Sequence, residues 1–156
     1  MPKITLAQFA KKLRSYRGKL EAAQREGIYR GAQECLPMLQ QKSQAAGVDT
    51  GGFAAGWRVV RRGKGVRIIN IRPGSGFIDN GRAPGKAPPP DVILGWVQRR
   101  FGQTGAQARS TAFLIGRKIA QRGLVGKRIL RSSRRQMRMI LRRAVKSALI
   151  DTWRRA

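Results

Sequence analysis

A chain of 156 residues is long enough for one domain with a modest core, and with 41% of its residues hydrophobic it is not a disordered basic tail. It sets 34 Lys and Arg against 7 Asp and Glu, a net charge of +27; self-repulsion on that scale opposes compaction, so an outside polyanion or an acidic protein partner is expected. With no His and a single cysteine, Cys35, an intrachain disulfide is excluded and a zinc site nearly so.

Thr5 followed by Gln8 is a capping-box pattern, a start signal for a helix. Leu6, Phe9, Leu13, Tyr16, Leu20, Ala23 and Ile28 then recur at helical spacing as an apolar stripe, with Lys11, Lys12, Arg14, Lys19 and Arg25 off it. The periodicity runs to about Ala46, roughly 60 Å of helix, and Pro37 is expected to kink or divide it. So long a helix predicts packing against another subunit as well as its own core. Cys35 reads as a small buried hydrophobe on that helix.

Gly47 to Gly52 is a break. Trp57 to Arg61 and Val66 to Arg72 are strand-like runs joined by Gly63-Lys64-Gly65, which reads as a hairpin. The second run is apolar on both faces through Val66, Ile68, Ile69 and Ile71, and so reads as the more central strand. Pro73-Gly74-Ser75-Gly76 turns the chain into Phe77-Ile78, a short third strand, and Asp79-Asn80-Gly81 reads as a turn.

The prolines of Ala83-Pro84 and Ala87-Pro88-Pro89-Pro90 fix φ and remove amide donors, so this stretch is a stiff loop, not strand or helix interior. Asp91 has the chemistry of an N-cap for the helix that follows, whose stripe is Val92, Ile93, Trp96, Val97 and Phe101, ended by Gly102. Ser110 is the expected cap of a helix carrying Phe113, Leu114, Ile119 and Ala120 up to Gly123. A last helix is expected from near Lys127 to Trp153, with Leu130, Met137, Ile140, Leu141, Ala144, Ala148 and Leu149 as its apolar set. The expected division is a helical arm over 1–46 and a domain over 47–156 that holds the Pro-rich loop (81–90) and the basic C-terminal helices.

Gly81-Arg82-Ala83-Pro84-Gly85-Lys86-Ala87 only superficially suggests a phosphate-binding loop. Its glycine spacing is one residue short, no Ser or Thr follows the Lys, and prolines replace amide donors. No His and no carboxylate pair offers general acid–base chemistry, and no base is visible for Cys35, so neither catalysis nor a cofactor is expected. No apolar run approaches the ~20 residues needed to span a bilayer, and MPKITLAQF lacks the apolar core of a signal peptide. Synthesis in the cytoplasm, with no membrane partner, is the expectation.

The strongest physical signal is basic. Residues 99–156 hold seventeen Lys or Arg and one acid, Asp151. Arg131, Arg135, Arg138, Arg142 and Lys146 recur at helical spacing; a merely solvated face would mix signs to gain i,i+4 pairs, so contact with a polyanion or an acidic surface is expected. No base-reading motif accompanies the stripe, which leaves attraction to the phosphate backbone. The rigid loop and the helix after it form the candidate protein interface, carried by Phe77, Asp79, Arg82, Pro84, Lys86, Pro89 and Trp96.

The order of pieces from Val48 onward resembles the neck, tail-completion or head–tail joining (virion morphogenesis) proteins of tailed bacteriophages. The residues that carry it are Val48-Asp49-Thr50-Gly51, Gly56-Trp57-Arg58-Val59, Ile69-Asn70, Phe77-Ile78-Asp79-Asn80-Gly81 with the Pro-rich loop, Ile93-Leu94-Gly95-Trp96-Val97, Ala112-Phe113-Leu114-Ile115-Gly116-Arg117-Lys118-Ile119, and Arg122-Gly123-Leu124. The resemblance implies an α+β fold: a long N-terminal helix, a small antiparallel β-sheet made of the hairpin plus a short third strand, and C-terminal helices packed on the sheet. It implies a structural role as one subunit of a homo-oligomeric ring, a hexamer or dodecamer, at the head–tail junction of a virion assembled in the host cytoplasm. Its neighbours would be connector, tail-terminator or tail proteins, with DNA passing through. A uniformly basic lumen would retard DNA exit, so much of the charge is expected on outer or inter-ring surfaces. Charge alone also supports a second reading, a non-sequence-specific nucleic-acid-binding protein of nucleoid or ribosomal type.

Overall fold

The computed structural model describes residues 5–46, 51–63 and 65–155. The fold is α+β, with a long N-terminal helix, a two-stranded antiparallel sheet and C-terminal helices. The chain divides into two units, one holding Met1–Gln40, Trp57–Asn70 and Ser132–Ala156, the other Gln41–Gly56 and Ile71–Arg131. The expected arm over 1–46 is therefore not a separate piece, because the first helix is packed together with the hairpin and the last helix.

Within the first unit, α1 (Leu6–Ala45) starts on the expected reciprocal cap: the Thr5 amide donates to Gln8 Oε1 at 3.0 Å and the Gln8 amide to Thr5 Oγ1 at 3.3 Å. The helix continues through Pro37 instead of dividing there. Pro37 lies on the exposed side, and what it removes is a single i→i−4 hydrogen bond. The buried line of α1 in this unit is Gly27, Gly31, Ala32, Cys35 and Leu39. It faces α6 (Ile129–Arg154) at close range: a Cβ at Gly27 would lie 2.8 Å from the Val145 Cα, and one at Gly31 2.9 Å from the Ala144 Cβ. The separation of packed helices follows the side chains at the contact, and two glycines one turn apart let this pair come nearly backbone to backbone. Leu6 and Leu13, by contrast, are exposed.

The hairpin pairs β1 (Trp57–Arg62) with β2 (Gly65–Asn70), in register from Trp57 opposite Asn70 to Arg62 opposite Gly65. Trp57 is its buried anchor. β2 alternates exposed and half-buried positions and has one neighbour only, so it is not a central strand. Arg61 reaches α1, donating to Glu26 Oε2 at 3.0 Å with its guanidinium 3.8 Å from the Tyr29 ring centroid.

In the second unit Phe77 and Ile78 lie in a short helix, α3 (Ser75–Asn80), and not in a third strand. A two-residue apolar run between glycines has no period of its own, and Gly74, left-handed at φ 78°, turns the chain into a helix. Helices α4 (Pro90–Phe101) and α5 (Gly105–Arg122) bury Val97, Ala108 and Ala112 between them, with Ile93, Leu94, Trp96 and Ile115 packed around. Two expected caps move. Pro89, not Asp91, is the N-cap of α4, which puts the Asp91 carboxylate inside the first turn, where it still complements the helix dipole. The cap position of α5 is Thr104, not Ser110. Gly102 and Gly123 end α4 and α5 as expected. The expected break over Gly47–Gly52 falls partly outside the described residues; Gly51, left-handed, precedes the short helix α2 (Gly52–Ala55).

Gly31→Val should lower stability by about 1–3 kcal/mol through overpacking against α6, seen as a lower urea midpoint. Gly18→Val, at a position where a Cβ meets nothing within 4 Å, should leave that midpoint unchanged or raise it. Equal midpoints for the two variants would rule out the close crossing.

Candidate functional site

The Pro-rich loop is held at its base by a crossing of two chain segments. Immediately after α3, β3 (Gly81–Arg82) pairs antiparallel with β4 (Leu124–Val125), which follows α5. Side chains would obstruct this crossing at Gly81, Gly123 and Gly126, where any Cβ would collide with backbone of the opposite segment. Gly81 and Gly123 also take positive φ, 78° and 74°. Past the crossing the Lys127 amide donates to the Ile78 carbonyl and the Arg128 amide to the Asp79 carbonyl, both at 2.8 Å. Asp79 Oδ1 then accepts the Ile129 amide at 2.6 Å and the Leu130 amide at 3.3 Å. α6 has no acidic residue in its own first turn; Asp79, from fifty residues earlier in the chain, supplies the negative charge and the cap.

This geometry sorts the expected interface residues. Asp79 is 6% exposed and acts inside the fold, not at a surface as expected. Phe77 and Arg82 come together, the guanidinium 5.5 Å from the ring centroid, and Arg82 Nη2 donates to the Lys86 carbonyl at 2.6 Å. With the Gly85 amide donating to the Ala120 carbonyl at 2.8 Å, the loop is pinned at two points. Pro84, Lys86 and Pro89 are exposed. Trp96 is half-buried on the α4–α5 core, edge-on to Phe101 at 5.4 Å.

On α6, Arg135, Arg138, Arg142 and Lys146 are all exposed and make no hydrogen bond or ion pair; Arg131, in the helix's first turn, is likewise exposed and unpaired. The acids offer no relief. Glu21 sits between Arg17 and Arg25 at 3.1 and 3.6 Å, Glu26 pairs with Arg61, and Glu34 pairs with Arg143 at 3.2 Å. Asp79 caps α6 and Asp151 accepts the Ser147 hydroxyl at 3.5 Å. Of the described acids only Asp91 has no such partner.

One feature was not expected from the sequence. A groove of about 490 Å³ runs between the Pro-rich loop, the start of α4 and one face of α5. Its floor is Ala112, Gly116 and Ala120, and Arg109, Phe113 and Arg117 rise beside it. The helical spacing of small residues on α5 was the available signal, but small residues at that spacing more often pack against a neighbour than stand open.

Cys35 is fully buried, and burial, then the adjacent Glu34 carboxylate, push its thiol upward from the ordinary range, away from the reactive thiolate. Among the described residues no group of three His, Cys, Asp or Glu could hold a metal ion, and no helix is long and apolar enough to cross a membrane. Comparison with family models, with curated proteins and with solved structures finds no match to this chain.

Asp79→Ala should cost about 1–2 kcal/mol of stability through loss of the α6 cap, whereas Asp79→Asn, which keeps an acceptor oxygen, should cost less. Thermal unfolding of the two variants checks this; equal losses would assign the effect to charge rather than to the hydrogen bonds.

Proposed function

We propose that this chain is a structural subunit of the head–tail junction of a tailed bacteriophage, joining capsid connector to tail as one member of a ring through which DNA passes. The ordered resemblance from Val48 to Leu124 motivates the reading. The observation that carries it is the charge arrangement: Arg131, Arg135, Arg138, Arg142 and Lys146 of α6 are exposed with no internal partner, and of the described acids all but Asp91 are already engaged. The stripe therefore answers to something outside the chain, an acidic face of a neighbouring ring or DNA. Contacts between copies, by the same reasoning, avoid this face, since like charges across an interface cost several kcal/mol. They fall to the pinned loop and to α4, where exposed prolines and the Trp96 edge offer stiff surface. A ring needs two different patches on each subunit, and the exposed apolar start of α1 is the second.

The second reading, a general nucleic-acid-binding protein, is favoured by the same unpaired stripe, and experiment separates the two. Pro89→Gly and Trp96→Ala should each reduce ring-sized species in native mass measurements while the monomer stays soluble. Labelled protein should appear at the neck in electron micrographs of virions; label absent from neck and tail would end the ring reading. The nucleic-acid reading instead expects tight binding of naked duplex by monomer or dimer. For it, Arg138→Gln with Arg142→Gln should flatten the slope of log K against log salt by about 2.

A further inference from the structure

We propose that the groove on α5 is a docking site for an acidic segment of a different protein, bound extended, with carboxylates at positions i and i+4 and an apolar side chain at i+2. The two cations of the groove, Arg109 and Arg117, make no hydrogen bond or ion pair within the chain. Eight residues apart on one helix, they stand about 12 Å apart along its axis. An extended peptide covers that distance in about four residues at roughly 3.3 Å each, and its residues i, i+2 and i+4 share one face. Two carboxylates at that spacing meet both guanidiniums, and the side chain between them lies beside Phe113, over the floor.

The floor is open because of Gly116. A glycine inside a helix is destabilising relative to Ala, and here no packing demands it: a Cβ at Gly116 would meet nothing within 4 Å. The missing side chain leaves the depth into which an apolar anchor fits. Asp91, on the same groove, repels any further carboxylate and so holds the ligand to two. A second copy of this chain cannot be the occupant, because none of its seven acids lies four residues from another. Nucleic acid suits the guanidiniums but not the apolar floor and proline wall.

The test is fluorescence anisotropy with the full-length chain and a labelled peptide of core Asp-Ser-Leu-Ser-Glu at near-physiological salt. It should bind about tenfold more tightly than peptides in which Asn and Gln replace the acids or Ser replaces the Leu. Gly116→Leu, at a position where a Cβ meets nothing within 4 Å, should fill the floor and weaken binding by about tenfold or more, and Asp91→Asn should strengthen it. Arg138→Gln with Arg142→Gln should leave it unchanged, which separates this site from the α6 stripe and its function. Equal binding of the Leu-free peptide, full competition by a DNA duplex at matched charge, or an unaffected Gly116→Leu would each overturn the proposal in favour of general attraction to a cationic protein.

Discussion

A single buried carboxylate organises one of the two units. Asp79 takes two amides of the first turn of α6, while the carbonyls of Ile78 and Asp79 take the two before them. Four consecutive donors, Lys127 to Leu130, thus find partners on one short stretch of a distant segment. Helix starts leave such donors unsatisfied, and the usual remedy is a local side chain. Here the remedy is tertiary, so the start of α6, the end of α3 and the base of the Pro-rich loop are fixed together. Glycines at 81, 123 and 126 make the crossing sterically possible, and the carboxylate makes it favourable.

The other unit solves a different problem with the same residue type. Its α1–α6 contact depends on Gly27 and Gly31, where the absence of side chains lets Val145 and Ala144 approach the backbone. Close approach buries little apolar area per residue, and the helices are otherwise strongly basic. The ion pairs Glu26–Arg61 and Glu34–Arg143 offset some of that repulsion, but pairs this exposed contribute ~0–1 kcal/mol each. Excess positive charge remains. The proposed docking roles follow from that excess: a chain that cannot balance its own field is stabilised by what it binds.

Stiffness of the Pro-rich loop was legible from its prolines, which restrict φ whatever surrounds them. The residues that make it a surface were not. Phe77, expected on a strand, stands on a helix beside Arg82, and Asp79, expected at an interface, faces inward. Asp-Asn-Gly is compatible with a turn and with the end of a short helix; in the fold it ends a helix and meets residues 127–130, remote in sequence. The caps are displaced as well: Asp91 and Ser110 are good capping residues by chemistry, yet the observed N-caps, Pro89 and Thr104, stand two and six residues earlier.

From the order of residues alone came the long capped first helix, the hairpin, the glycine stops of α4 and α5, the burial of Cys35 and the uncompensated cationic stripe. These depend on local spacing, side-chain chemistry and totals of charge, all of which survive without knowledge of neighbours. Only the folded chain decided the Asp79 cap, the glycine crossings, the helical state of Phe77-Ile78 and the groove over Gly116. Each of these is a relation between segments tens of residues apart, and a missing Cβ or a lone carboxylate has no meaning until the opposite segment is in place.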